Sequence, residues 1–200
     1  MGRRGRPGAG FGAGPMVRGG RRSAAVLGDR AREQIAEAHQ LAASGQWAEA
    51  APALSRLAGI ARERGLSRMA ATLGARAAQG YARTGDRDAF LAATEAAIGD
   101  AKVEGDADHG SRTFGELLAA VSDTTFSGLV PDLEGAIRQA LGATPTRPSA
   151  EAPTMGRSVR RHLPASCEAC GSDVEGATLR FNERGDADCP TCGSVLTSTL

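Results

Sequence analysis

Four cysteines, all within the last 34 residues, constrain this chain more than any other feature of it. Cys167 and Cys170 form one Cys-x-x-Cys pair, Cys189 and Cys192 form a second, and 18 residues lie between the pairs. That separation falls inside the window of roughly 15–20 residues common to four-cysteine metal sites. Two intervening residues let a tight turn aim both sulfurs at one ion about 2.3 Å away. Gly171 and Gly193 each follow the second cysteine of a pair. A residue without Cβ can take positive φ there and turn backbone N–H groups toward the thiolates. Pro190 stiffens the second turn. Four thiolates close the coordination shell and leave no position for a catalytic water. The spacing therefore predicts one structural Zn2+ ion held by Cys167, Cys170, Cys189 and Cys192.

The residues around the cysteines read as short strands. Thr178, Leu179, Arg180 and Phe181 suit a strand, residues 182–185 a turn, and residues 195–199 a closing strand. With its two Cys-x-x-Cys-Gly knuckles, the segment 166–200 resembles a zinc ribbon, and the resemblance implies a small β module clamped by one zinc ion. Energetics agree, because a segment this short lies below the roughly 40 residues needed for unaided folding. Val174, Leu179, Phe181, Val195 and Leu196 cannot hold it alone, whereas structural zinc supplies on the order of 10–16 kcal/mol in small modules. Three rivals remain. A rubredoxin-like iron electron carrier also has knuckles ending Cys-Gly, although Phe181 is the segment's single aromatic. A pair of disulfides would need an oxidising compartment. A thiol–disulfide oxidoreductase would need its Cys-x-x-Cys at a helix start beside a βαβ unit, which the pattern does not suggest.

The other residues divide by composition. Apolar residues make up 41% of 200, but 39 of them are alanines, and Leu, Ile, Val and Phe together number 33. So few large side chains exclude one dense core spanning the whole chain. No run of about 18 apolar residues offers a membrane span. Residues 1–28 alternate glycine and arginine, with six arginines and no acid before position 23, and should remain disordered. Residues 142–165 hold four prolines and read as a flexible linker.

Between these segments, residues 29–141 carry apolar side chains at helical spacing. Helices are expected over 29–44 with Asp29 as N-cap, 46–64, 66–83, 86–103, 111–121 and 131–141. Pro52 falls near the start of the second. The acidic stretch containing Asp100, Glu104, Asp106, Asp108 and His109 lacks the spacing of a calcium loop and reads as an exposed acidic turn. Superposing Gly45 on Gly85 places Leu57 and Ala58 opposite Ala97 and Ile98. Gly45, Trp47 and Ala50 resemble the tetratricopeptide repeat, with its turn glycine, aromatic and small residue. The second unit departs, with Arg87 at the aromatic position, and the spacing is 40 residues rather than about 34. The resemblance implies paired antiparallel helices, a short groove for a peptide or helix of another protein, and Trp47 in the core. The expected fold is mainly α, helical hairpins followed by the small β ribbon.

Function follows from what is present and what is missing. No phosphate-binding loop exists, Lys102 is the sole lysine, and three scattered histidines form no triad pattern, so an enzyme is not expected. The expected role is a non-catalytic adaptor that binds another protein or peptide. Nucleic acid is the alternative partner, through the Arg-rich tail and Arg157, Arg160, Arg161 and His162, with a solvated tail and linker the simpler reading. No signal core or myristoylation pattern is visible, and a reducing cytoplasm is the expected compartment.

Overall fold

Short turns between amphipathic segments dictate the architecture. The computed structural model describes residues 28–145, 163–174, 179 and 186–197. Six helices occupy its first part: α1 (Asp29–Ala43), α2 (Trp47–Glu63), α3 (Ser67–Thr84), α4 (Arg87–Glu104), α5 (Ala107–Ser122) and α6 (Val130–Leu141), with a 3-10 turn at Ser127–Leu129 before α6. Two- or three-residue connections join the first five, so consecutive helices run antiparallel. Gly45, Gly65, Gly85 and Gly105 stand at these turns, all with φ between 72° and 80°. Their 20-residue interval is one helix plus one turn, and two intervals make the 40-residue pair spacing seen in the sequence. The expected Arg/Gly tail, most of the Pro-rich linker, the basic cluster 157–162 and the strand at 178–181, apart from Leu179, lie outside the described residues.

Helix boundaries match the periodicity with one informative exception. The fifth helix begins at Ala107, not near 111, because the Asp106 side chain accepts from the His109 amide at 2.9 Å. Asp86 caps α4 in the same way, accepting from Ala89 N at 3.1 Å. Gly85-Asp86 and Gly105-Asp106 are thus the same stop-and-start signal. The expected acidic turn is a helix start. The first helix also differs, since Gly28 precedes it and Asp29 sits in its first turn, where an acid favours the positive end of the helix dipole.

Alanine and glycine bring the helices close. α3 is buried nearly all round and packs against α2, α4 and α5, while α6 packs on α4 and α5. A Cβ on Gly80 would stand 2.7 Å from the Ala51 Cβ, and one on Gly74 would stand 3.1 Å from that of Ala97. Phe90, Phe114, Leu54, Leu73, Leu117 and Ile137 fill the remaining volume. The resemblance implies Trp47 in the core; it is instead half-buried at the core's edge against Gly80, with the Arg83 guanidinium 5.0 Å from its ring centre.

Several polar contacts join alternate helices. Arg62 of α2 makes a two-pronged contact with Asp100 of α4 at 2.7 and 2.8 Å. On the opposite side, Arg76 of α3 donates to His39 of α1 at 2.6 Å, and Thr72 of α3 meets His109 of α5 at 3.1 Å. Odd-numbered helices form one face and even-numbered helices the other. Among the described residues no helix is long and apolar enough to cross a membrane.

Candidate metal centre

Each Cys-x-x-Cys-Gly-Ser run folds into the same knuckle. In the first, the Cys167 amide donates to Ser172 O at 2.8 Å and Gly171 N donates to Cys167 O at 2.7 Å. In the second, the Cys189 amide donates to Ser194 O and Gly193 N to Cys189 O, both at 2.8 Å. Gly171 and Gly193 take φ of 75° and 72°, the left-handed conformation that closes each loop. The flanks of the second knuckle pair as β1 (Ala187–Asp188) and β2 (Val195–Leu196), antiparallel, with Ala187 opposite Leu196. The flanks of the first make a single bridge between Ser166 and Asp173. The closing strand expected over 195–199 is therefore shorter among the described residues, and its partner is the segment just before Cys189.

Facing knuckles bring the four sulfurs together. All are buried and lie within 4.8 Å of one another. Cys167 and Cys192 are 3.7 Å apart, and so are Cys170 and Cys189. A tetrahedron with metal–sulfur bonds of about 2.3 Å has edges of about 3.8 Å. A disulfide needs about 2.05 Å between sulfurs. Both close contacts cross from one knuckle to the other, so a bound ion would tie the two turns together.

Proton chemistry points the same way. Hydrogen bonds from Cys167, Cys189 and Cys192 hold the Cys170 thiol far below its ordinary value. Cys167 and Cys170 push the Cys189 and Cys192 thiols far above theirs. Crowded thiols resist holding several negative charges at once, and a divalent cation removes that obstacle. Ser172 and Ser194 place their hydroxyls 3.1 Å from Cys170 Sγ and 3.3 Å from Cys192 Sγ. These two serines escaped the sequence reading, although the repeated Cys-Gly-Ser run was the visible signal. Chemically, four buried thiolates can hold a soft or borderline divalent ion in a closed site.

The knuckles rest on the odd-numbered helices. Cys170 and Gly171 share a cleft with Asp29, Arg32, Glu33 and Ala36 of α1. Arg68 of α3 donates from Nε to Gly193 O at 2.6 Å and from Nη2 to Asp188 at 2.7 Å, while its Nη1 reaches Glu104 and Asp106, each at 2.8 Å. Arg112 of α5 also pairs with Asp188. Burial pushes the Asp188 carboxyl up, but His109, Arg68 and Arg112 outweigh it and hold the carboxyl well below the usual range. Burial and the charge of Arg76 drive His39 down to about 3, against the opposing Thr191 backbone. Its neutral ring accepts from Arg76 at Nδ1. Arg76 itself is flanked by Glu116 and by Cys189 of the metal centre.

This corrects the reading of the acidic stretch as an exposed turn. Asp100 is buried against Arg62, and Glu104 and Asp106 bind Arg68. His109 is buried, with Thr72 at 3.1 Å on Nε2 and Asp188 at 3.8 Å from Nδ1. That order of hydroxyl, imidazole and carboxylate was not legible in the sequence, since the three lie on α3, α5 and β1. The arrangement is a packing contact, because the Thr72 hydroxyl donates to Arg68 O and the Gly193 backbone lies directly over it.

No protein-family model matches the chain, and comparison with curated proteins and with solved structures likewise gives no match.

Proposed function

We propose that the protein is a non-catalytic, zinc-binding adaptor, in which Cys167, Cys170, Cys189 and Cys192 hold one structural Zn2+ and the helical hairpins carry the surface for a protein partner. The observation that supports the metal reading is the pair of 3.7 Å sulfur contacts between knuckles, close to the tetrahedral edge of a tetrathiolate ion. Phe181 as the single aromatic of the segment favours zinc over iron, since the Cys-Gly knuckles suit both. The adaptor reading draws on the helix-pair architecture and the tetratricopeptide-like turn at Gly45, Trp47 and Ala50.

Metal analysis of the purified protein, kept reduced, tests the first part. A colourless sample with one zinc per chain is expected. A red, iron-loaded sample would support the electron-carrier alternative, and a metal-free folded ribbon would end both readings. For the second part, binding to mixed RNA at low salt separates the partner classes. Salt-sensitive binding that disappears without residues 1–22 would favour nucleic acid over a protein partner.

A further inference from the structure

We infer that the metal-loaded second knuckle is the built-in occupant of the face formed by α1, α3 and α5, and that metal occupancy decides whether this face is covered. The inference rests on the metal reading above. It deepens the adaptor proposal, because the covered face is one of the two faces of the helical hairpins.

The contacts that seat the knuckle belong to residues bound in place by the ligands. Asp188 precedes Cys189, and Gly193 follows Cys192. Arg68 grips both at once, Gly193 O at 2.6 Å and Asp188 at 2.7 Å. One guanidinium can span them only while the loop between is closed. Backbone bonds from Cys189 N to Ser194 O and from Gly193 N to Cys189 O close it, and two thiolates on one ion would lock it. Arg112 holds the other oxygen of Asp188, so α3 and α5 clasp a single carboxylate. Shape adds a second requirement. The Gly193 backbone is pressed onto Thr72 and His109 so closely that a Cβ would overlap both. Loss of the ion leaves only these few backbone bonds to keep Asp188 and Gly193 in register with Arg68.

Charged partners make the contact specific. The face presents Arg68 and Arg76 two turns apart on α3, with Arg112 beside them on α5. Four thiolates around a divalent ion carry two net negative charges, and Asp188 adds a third. Arg76 and Cys189 interact electrostatically on this side. Glu104 and Asp106 already share Arg68, and Glu116 acts on Arg76, so the knuckle is seated by the specific clasp on Asp188 and Gly193 O rather than by net charge. Because docking and metal binding share these contacts, each strengthens the other by the same factor.

His109 reports directly on the cover, being 3% exposed beneath Gly193. The full chain would be treated with diethylpyrocarbonate under reducing conditions, zinc-loaded or stripped with EDTA, and the modification of His109 followed by mass spectrometry. Circular dichroism would monitor the helices. The zinc-loaded protein should protect His109, and stripping should raise its modification rate at least ten-fold while the helices persist. An Asp188→Asn variant keeps all four ligands. It should still take one zinc, yet expose His109 when loaded and surrender zinc to a chelator about ten-fold faster, as for other groups that support a metal site from outside. Should stripping unfold the helices, this loaded variant decides the matter. Undiminished protection of His109 in the stripped helical protein, or wild-type protection and zinc release in Asp188→Asn, would overturn the coupling. A chain that takes no zinc would instead remove the metal reading on which it rests.

Discussion

The helical body and the cysteine knuckles are both buried, yet opposite forces bury them. In the body, side chains are small so that backbones can approach. α2 and α3 touch where Gly80 faces Ala51, and α3 and α4 touch where Gly74 faces Ala97. Stability there comes from many weak contacts spread over six helices. Among the described residues of the knuckles, Val174, Ala187 and Leu196 are the apolar side chains buried beside the four cysteines and Ala169. So few contacts need a metal to close them. Nevertheless the two regions form one continuous buried cluster. The difference teaches where damage should spread. A fault in the body should loosen a cooperative core, whereas a fault at the cysteine cluster should remove one module and the contacts it makes.

The largest expected effect is at the metal. Cys192→Ser removes one of four thiolates and should abolish stable zinc binding, worth on the order of 10 kcal/mol to the knuckles. Limited proteolysis should then cut within residues 163–197 while residues 29–141 survive. Equal loss of both regions would show that they are a single folding unit and break the comparison. Next come two glycines that look alike in sequence. Gly80→Ala forces α2 and α3 apart at a contact with backbone-anchored Ala51 and should destabilise the body by about 1–3 kcal/mol in urea unfolding. Gly59 has nothing within 4 Å of its missing Cβ. Gly59→Ala should therefore stabilise by up to about 1 kcal/mol through helix propensity alone. Identical signs at the two positions would refute the close-approach account.

The smallest effect sits where the regions meet. His39 has its folded pKa lowered from 6.5 to about 3, so it is neutral in the folded protein when the unfolded chain is already protonated. As pH falls through about 6.5 the unfolded state gains the proton first, and stability declines with each further step toward 3. Between pH 7.5 and 5.5 the wild type should lose about 1 kcal/mol more than a His39→Gln variant, measured by urea unfolding of each. Parallel pH profiles would mean that the ring is solvated at this junction.

Much of the fold was legible because its causes are local. Ile35, Ala38 and Ala42, or Leu54, Leu57, Ala58 and Ala61, mark one buried face each by their spacing alone. Glycine at each turn marks the stops. The start of α5 was missed because Glu104, Asp106 and Asp108 read as one acidic run, which hid Asp106 as a cap. The four ligands were legible for the same local reason, since two residues between cysteines fix a turn. The clasp on Asp188 was not, because Arg68 and Arg112 lie 120 and 76 residues away along the chain. A block of acids and scattered arginines predicts attraction in general and names no pair.

The sequence by itself determined the helices, their turns and the four-cysteine set, because periodicity, capping and ligand spacing act over a few residues. Only the tertiary structure decided that the knuckles lie on α1, α3 and α5, and that Asp188 and Gly193 meet Arg68 there. That choice depends on how two layers of helices present their arginines in space, and no short-range pattern in the chain carries that information.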